Sequence, residues 1–141
     1  MQNSGKDVGE MSLESPHKGK TGLTRLWNAL HYSMAGLSAA FRHEDAFRQE
    51  VILLAVLTPV ALILPVGWIG KALMIASLLL VMIIELINSA IEATVDRISL
   101  ENHKLAKRAK DIGSAAVLIS LVNAAMVWSF TLLATYLPGT L

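Results

Sequence analysis

The chain has 141 residues, of which 54% are hydrophobic and 16% charged, with a net charge of +1. Soluble domains average roughly 45–50% apolar and about 25% charged residues, so the balance leans toward a membrane protein, and the length allows one domain. There is no cysteine, which excludes a disulfide framework and a thiolate metal centre.

Residues 1–21 read as a disordered polar extension, because Met1 to Lys20 is rich in Ser, Gly, Lys and Glu and holds no apolar run of the kind a cleaved secretory signal needs. Residues 22–141 read as a membrane-embedded domain. Leu23, Trp27, Leu30, Met34, Leu37 and Phe41 recur at steps of four and three and line one helical face. The other faces hold Arg25, Asn28, His31, Tyr32, Ser38 and Arg42. Immediately before a span, this pattern predicts an amphipathic helix in the membrane interface, anchored by Trp27 and the basic residues. An ordinary core-facing helix is the alternative.

Val51 to Val66 is free of charge. With its flanks it predicts a first span over about 48–66, close to the ~20 residues a crossing needs. Pro59 is tolerable there because neighbouring helices can satisfy the carbonyl it frees. Gly67, Trp68, Gly70 and Lys71 predict a tight turn with an interfacial tryptophan. A second span follows over about 72–95, then a polar segment from Asp96 to Asp111, then a third span over 112–137. Lys and Arg number six up to Arg48, one between the first two spans and five between Asp96 and Asp111. The positive-inside rule therefore predicts a cytoplasmic N-terminus and a periplasmic C-terminus in a bacterial inner membrane. The expected fold is an all-α membrane protein with three transmembrane helices and an N-terminal interfacial helix.

The second span carries an anomaly. At 100° per residue, Glu85, Asn88, Ser89, Glu92 and Asp96 fall within about 100° of one another around the helix. Each charged group in a span costs about 2.5–3.5 kcal/mol on the insertion scale, so a sequence serving stability alone would not place them there. A buried polar network that fixes helix register is the alternative. Counted from Lys71, Glu85 lies ~21 Å down and Glu92 ~10 Å further. In a hydrocarbon core ~30 Å thick, that puts Glu85 in the cytoplasmic leaflet and Glu92 near the cytoplasmic surface. A transporter site would sit nearer the midplane; this stagger suits an enzyme that joins a membrane-buried group to a cytoplasmic solute. Glu85 fits a general base toward a hydroxyl. Glu92, nearer water, fits a ligand for a hard cation such as Mg²⁺, and Glu44 supplies a second carboxylate on the same side. Lys104, Lys107, Arg108 and Lys110, with Asp111 beside them, could neutralise phosphates or lipid head groups. No GxxxxGK[ST], HRD or DFG motif is present, so phosphoryl transfer would need a site assembled from these helices. No nucleic-acid partner is expected.

The run Glu85-Leu86-Ile87-Asn88-Ser89-Ala90-Ile91-Glu92-Ala93-Thr94-Val95-Asp96-Arg97 closely resembles the signature of the small prokaryotic integral-membrane diacylglycerol kinases. Ala109-Lys110-Asp111-Ile112-Gly113-Ser114-Ala115-Ala116-Val117 resembles their second block, and Ala46-Phe47-Arg48-Gln49-Glu50 the segment that enters their first span. The similarity runs from about Thr21 to Tyr136. It implies a homotrimer that transfers the ATP γ-phosphate to the primary hydroxyl of diacylglycerol, giving phosphatidate. It implies Glu85 as the base with Asn88 beside it, and Glu44 and Glu92 as ligands of Mg²⁺ together with ATP. Arg25, Tyr32, Glu101, Asn102, His103, Lys110 and Asp111 would contribute to the nucleotide site. Arg25, Ala46, Phe47, Arg48, Gln49, Glu50, Glu85 and Trp128 would lie along the lipid path; Trp128 reads equally as a packing tryptophan. The surface helix departs from the family pattern at Asn28, Leu30, Met34 and Ala35, which bears on lipid-side contacts. Within the class the alternative is an undecaprenol kinase. From other classes, the alternatives are a small transporter using Glu85 and Glu92 as an ion or proton relay, and a non-catalytic scaffold.

Overall fold

The computed structural model describes residues 22–98 and 104–137. The expected extension over 1–21 and the stretch Glu101, Asn102 and His103 lie outside the described residues. Among the described residues every regular element is a helix: α1 (Gly22–His43), α2 (Asp45–Ile63), α3 (Trp68–Ile98) and α4 (Lys104–Tyr136). The last three are long and apolar enough to cross a membrane.

The chain divides into two units, the first ending at Ala35 and the second beginning at Gly36. In the first, Leu23, Leu26, Trp27, Leu30 and Met34 are all exposed. The second is organised around α3, which packs against both α2 and α4. Hydrogen-bonded or contacting pairs fix the direction of α4. Asp96 meets Lys110, Asn88 meets Gly113, Met74 meets Trp128 and Gly70 meets Thr131, so α3 and α4 run antiparallel.

Helix ends differ from the apolar runs for local reasons. The Lys71 N–H donates to Gly67 O, so helical bonding starts there, and Trp68, Gly70 and Lys71 form the first turn of α3. The chain reversal falls earlier, where α2 ends on Leu64 N–H to Val60 O and Val66 N–H folds back to Leu64 O around Pro65. Lys71 strengthens this corner from its side chain: Nζ donates to Leu62 O at 2.5 Å and lies over the Trp68 ring. A carbonyl left without a helical partner at the end of α2 is thereby satisfied by a cation. α4 starts at Lys104, before the uncharged run, because Leu, Ala, Lys and Arg are all good helix formers.

The buried stripe of α3 contains Met74, Ser77, Leu78, Val81, Glu85, Asn88 and Ser89, a three-and-four spacing that keeps one face toward its neighbours. Towards the Trp68 end it is apolar and tight. A Cβ on Gly70 would meet the Val66 side chain and lie 2.9 Å from Thr131 Cγ2, so the corner at Val66 and the close approach of α4 together favour glycine there. Towards the Ile98 end the same stripe becomes polar.

Candidate active site

In a hydrocarbon environment a hydroxyl usually bonds back to its own helix. Ser77 Oγ donates to Met74 O, Ser120 Oγ to Val117 O, Thr131 Oγ1 to Val127 O and Thr135 Oγ1 to Thr131 O, all at 2.7–2.8 Å. Ser89 departs from this habit. Its Oγ, the Asn88 Oδ1 and the Glu50 Oε2 are buried polar atoms with no hydrogen-bond partner among the described residues. Orphaned buried polar atoms are uncommon and call for a physical account. Two of them, Glu50 Oε2 and Ser89 Oγ, belong to the polar end of the bundle, and the third, Asn88 Oδ1, lies against Gly113 of α4.

Glu85 is central to that polar end. It is 4% exposed, and no hydrogen bond or ion pair engages its carboxylate among the described residues. Asn88, one turn on, is 8% exposed and donates from Nδ2 to Glu92 Oε1 at 3.3 Å. Glu92 and Glu44 both lie within electrostatic reach of Glu85, and Glu85 in turn acts on Glu50. The structure thus brings Glu44, Glu50, Glu85, Asn88 and Glu92 to one end of the second unit.

Glu44 reaches the group through a break in the helix. Its backbone is extended, with φ −114° and ψ 114°, and its side chain makes no capping hydrogen bond to α2, so the carboxylate remains available. Arg48 secures the corner. Its guanidinium donates to Phe41 O and Arg42 O at 3.1 and 3.3 Å and pairs with Asp45, which satisfies the open carbonyls at the end of α1.

On α4, Lys110 forms an ion pair with Asp96 at 2.6 Å and lies in the field of Glu92 and Glu44. Among the described residues it is a cation placed beside this acidic group. Asp111, its neighbour, is exposed.

The remaining expected residues are placed as follows. Phe47 is 2% exposed and packs in the core, while Ala46 and Gln49 are exposed. Arg25 and Tyr32 are exposed on α1, in the first unit. Trp128 is not brought to Glu85. Its indole Nε1 donates to Met74 O at 3.3 Å, eleven residues from Glu85 along α3, or ~16 Å of helix axis.

Ser89 and Asp96 stand on the polar stripe that their spacing already marks in the sequence; Gly113 lies outside it. Gly113 could have been noticed as a glycine inside an apolar span, where helix propensity disfavours it.

Among the described residues no three His, Asp or Glu side chains form a metal cage. The donor chemistry is nevertheless that of magnesium, which commonly takes one or two carboxylates and completes its shell with water and substrate phosphates. Glu44 and Glu92 are two such carboxylates at the end of the bundle where Lys110 also lies.

Residues 31–132 match the profile of a family described as prokaryotic diacylglycerol kinase. The chain is 58% identical over 119 residues to a diacylglycerol kinase of Pseudomonas aeruginosa, covering 84% of this chain and 97% of the relative. It is 50% identical over 112 residues to one of Escherichia coli, covering 79% and 92%. A Helicobacter pylori relative of the same description is 45% identical over 125 residues, covering 89% and 97%.

Proposed function

The chain belongs to the prokaryotic diacylglycerol kinase family and is a lipid kinase of a bacterial membrane; from that premise we propose how its residues divide the reaction. Glu85 accepts the proton of the lipid's primary hydroxyl. The hydroxyl oxygen attacks the γ-phosphorus of ATP, the bond to the β–γ bridging oxygen breaks, and phosphatidate and ADP are the products. The observation that carries this reading is the position of Glu85, buried and unengaged, on the same helical stripe as the Asn88–Glu92 hydrogen bond and the Asp96–Lys110 pair. A base buried between helices and a charged end that would take the nucleotide lie within a few helical turns of each other.

Asn88 keeps the Glu92 carboxylate in place by donating to it. Glu44 and Glu92 would hold Mg²⁺ with the nucleotide, and that cation, when bound, neutralises charge on the transferring phosphoryl group. Lys110 offers its ammonium to the phosphates, with Asp96 holding it in position until nucleotide arrives. Arg25, Tyr32, Asp111 and Glu101, Asn102 and His103 would contribute to nucleotide binding. Ala46 to Glu50 border the lipid path. The first unit fits an interfacial helix, since its Leu and Trp residues stand exposed next to Arg25. The exposed apolar residues of α2 and α4, among them Ile52, Val56, Ile119 and Met126, suit lipid contact or the subunit contacts of a homotrimer. The N-terminus is cytoplasmic and the C-terminus periplasmic, in the inner membrane.

Purified protein in mixed micelles with labelled ATP and Mg²⁺, offered diacylglycerol or undecaprenol separately, tests the substrate. Labelled phosphatidate is expected. Label transferred only to undecaprenol would overturn the acceptor assignment, and a gradient-driven flux without ATP turnover would overturn the class.

A further inference from the structure

Gly113 lies in the first turn of the uncharged part of α4, buried against α3. A Cβ built on it collides with Asn88 Oδ1 and lies 3.4 Å from Asn88 Cγ. The amide of Asn88 therefore occupies the volume that any other residue at 113 would fill. That amide has only one satisfied end. Nδ2 donates to Glu92 Oε1, while Oδ1 is buried without a hydrogen-bond partner. Turning the amide over would set an oxygen against the Glu92 carboxylate, so the hydrogen bond selects the orientation. The unsatisfied oxygen is left against the glycine, where Cα–H is the donor available to it.

Resting on the assignment of Glu92 to the Mg·ATP end of the site, we propose that Gly113 is a positioning residue: by lacking a side chain it lets Asn88 lie against α4, and so sets the rotamer from which Asn88 holds the Glu92 carboxylate. A side chain at 113 would push the amide away from α4 and break or lengthen the bond to Glu92. The carboxylate would then sample several rotamers, and the nucleotide–metal end would lose its preset geometry. The base Glu85 would be left in place, because nothing in this contact involves it.

Gly113→Ala makes the role measurable because its ordinary effect has the opposite sign: a helical Gly→Ala change usually stabilises. Full-length protein in micelles is assayed for equilibrium binding of Mg·ATP, for KM of nucleotide and lipid, and for thermal unfolding. Gly113→Ala should weaken Mg·ATP binding about tenfold, the lower end of what loss of a supporting partner costs a metal ligand, with the lipid KM unchanged. In an Asn88→Ala background, where no amide is left to displace, the same substitution should have no further effect on nucleotide binding, and its stability penalty should vanish. That double variant also keeps the test open if the single one does not fold. An equal loss of affinity in both backgrounds, or no loss in either, overturns the positioning role. Glu92→Gln serves as the control. If it leaves Mg·ATP affinity unchanged, the nucleotide assignment fails and the inference with it; if it weakens binding while Gly113→Ala does not, the inference alone fails.

Discussion

Replacing Glu85 with glutamine should stop phosphoryl transfer while leaving the protein folded and able to bind nucleotide. The substitution conserves volume at a side chain that is 4% exposed, so it opens no cavity. It also orphans no partner, since no hydrogen bond or ion pair engages Glu85 among the described residues. What it removes is the proton acceptor. A positioned general base contributes about 10²–10⁴ in rate, equivalent to ~3–5 kcal/mol of barrier, and kcat should fall by that amount. Nucleotide binding should move the other way, if at all. Glu85 lies in the field of Glu44 and Glu92, and removing one negative charge lessens repulsion of the incoming phosphates. Turnover of diacylglycerol in mixed micelles gives kcat and both KM values, and tryptophan fluorescence and size-exclusion profiles verify the fold. A kcat within about threefold of the parent, far short of the loss expected for a base, would remove Glu85 from that role. A raised KM for Mg·ATP with unchanged kcat would reassign it to the nucleotide.

Other substitutions separate the parts of the site. Glu92→Gln should raise the Mg·ATP KM by roughly ten- to a hundredfold, as loss of a metal-supporting carboxylate does, with the lipid KM unaffected; titration of Mg²⁺ at fixed ATP reads this directly. Lys110→Met should weaken ATP binding with little change in unfolding temperature, because its pair with Asp96 is solvent-exposed and exposed pairs add little to stability. Trp128→Phe should cost about 0.5–1.5 kcal/mol through the lost hydrogen bond to Met74 O and leave the lipid KM alone; a raised lipid KM would return Trp128 to the lipid path. Gly70→Ala should destabilise by about 1–3 kcal/mol as an overpacked contact, read by thermal unfolding, although a glycine-to-alanine change in a helix ordinarily stabilises.

The three spans and the polar stripe were legible in the chain itself. Uncharged runs of the required length admit few structures in hydrocarbon, where every backbone group must bond within its own helix. Carboxylates on one face of such a helix stand out because each is costly there, which is how Glu85, Asn88 and Glu92 declared themselves. The start of α3 at Trp68 was less legible, since Gly67 to Lys71 carries the composition of a turn, and the Lys71 N–H to Gly67 O bond decided it. The side-chain partners lay beyond the sequence altogether. Trp128 reads equally as a lipid-path or a packing residue, and the donation of its N–H to Met74 O is seen only in the fold. Arg48 reads from the sequence only as part of a substrate segment, and its bonds to the carbonyls that end α1 are seen only in the fold.

Sequence, by itself, therefore determined that this chain carries three helices long and apolar enough to cross a membrane, that the second holds ionisable groups staggered along one face, and that its motifs are those of a lipid kinase family. Those properties depend on residue type and helical period, which are local. Tertiary structure alone decided that α4 lies antiparallel on α3 so closely that Asn88 occupies the space of a missing side chain at Gly113, that Glu44 stands at the N-cap of α2 without a side-chain capping bond, and that Lys110 faces Asp96. These depend on which residues meet across helices, a matter of packing register between faces distant in sequence.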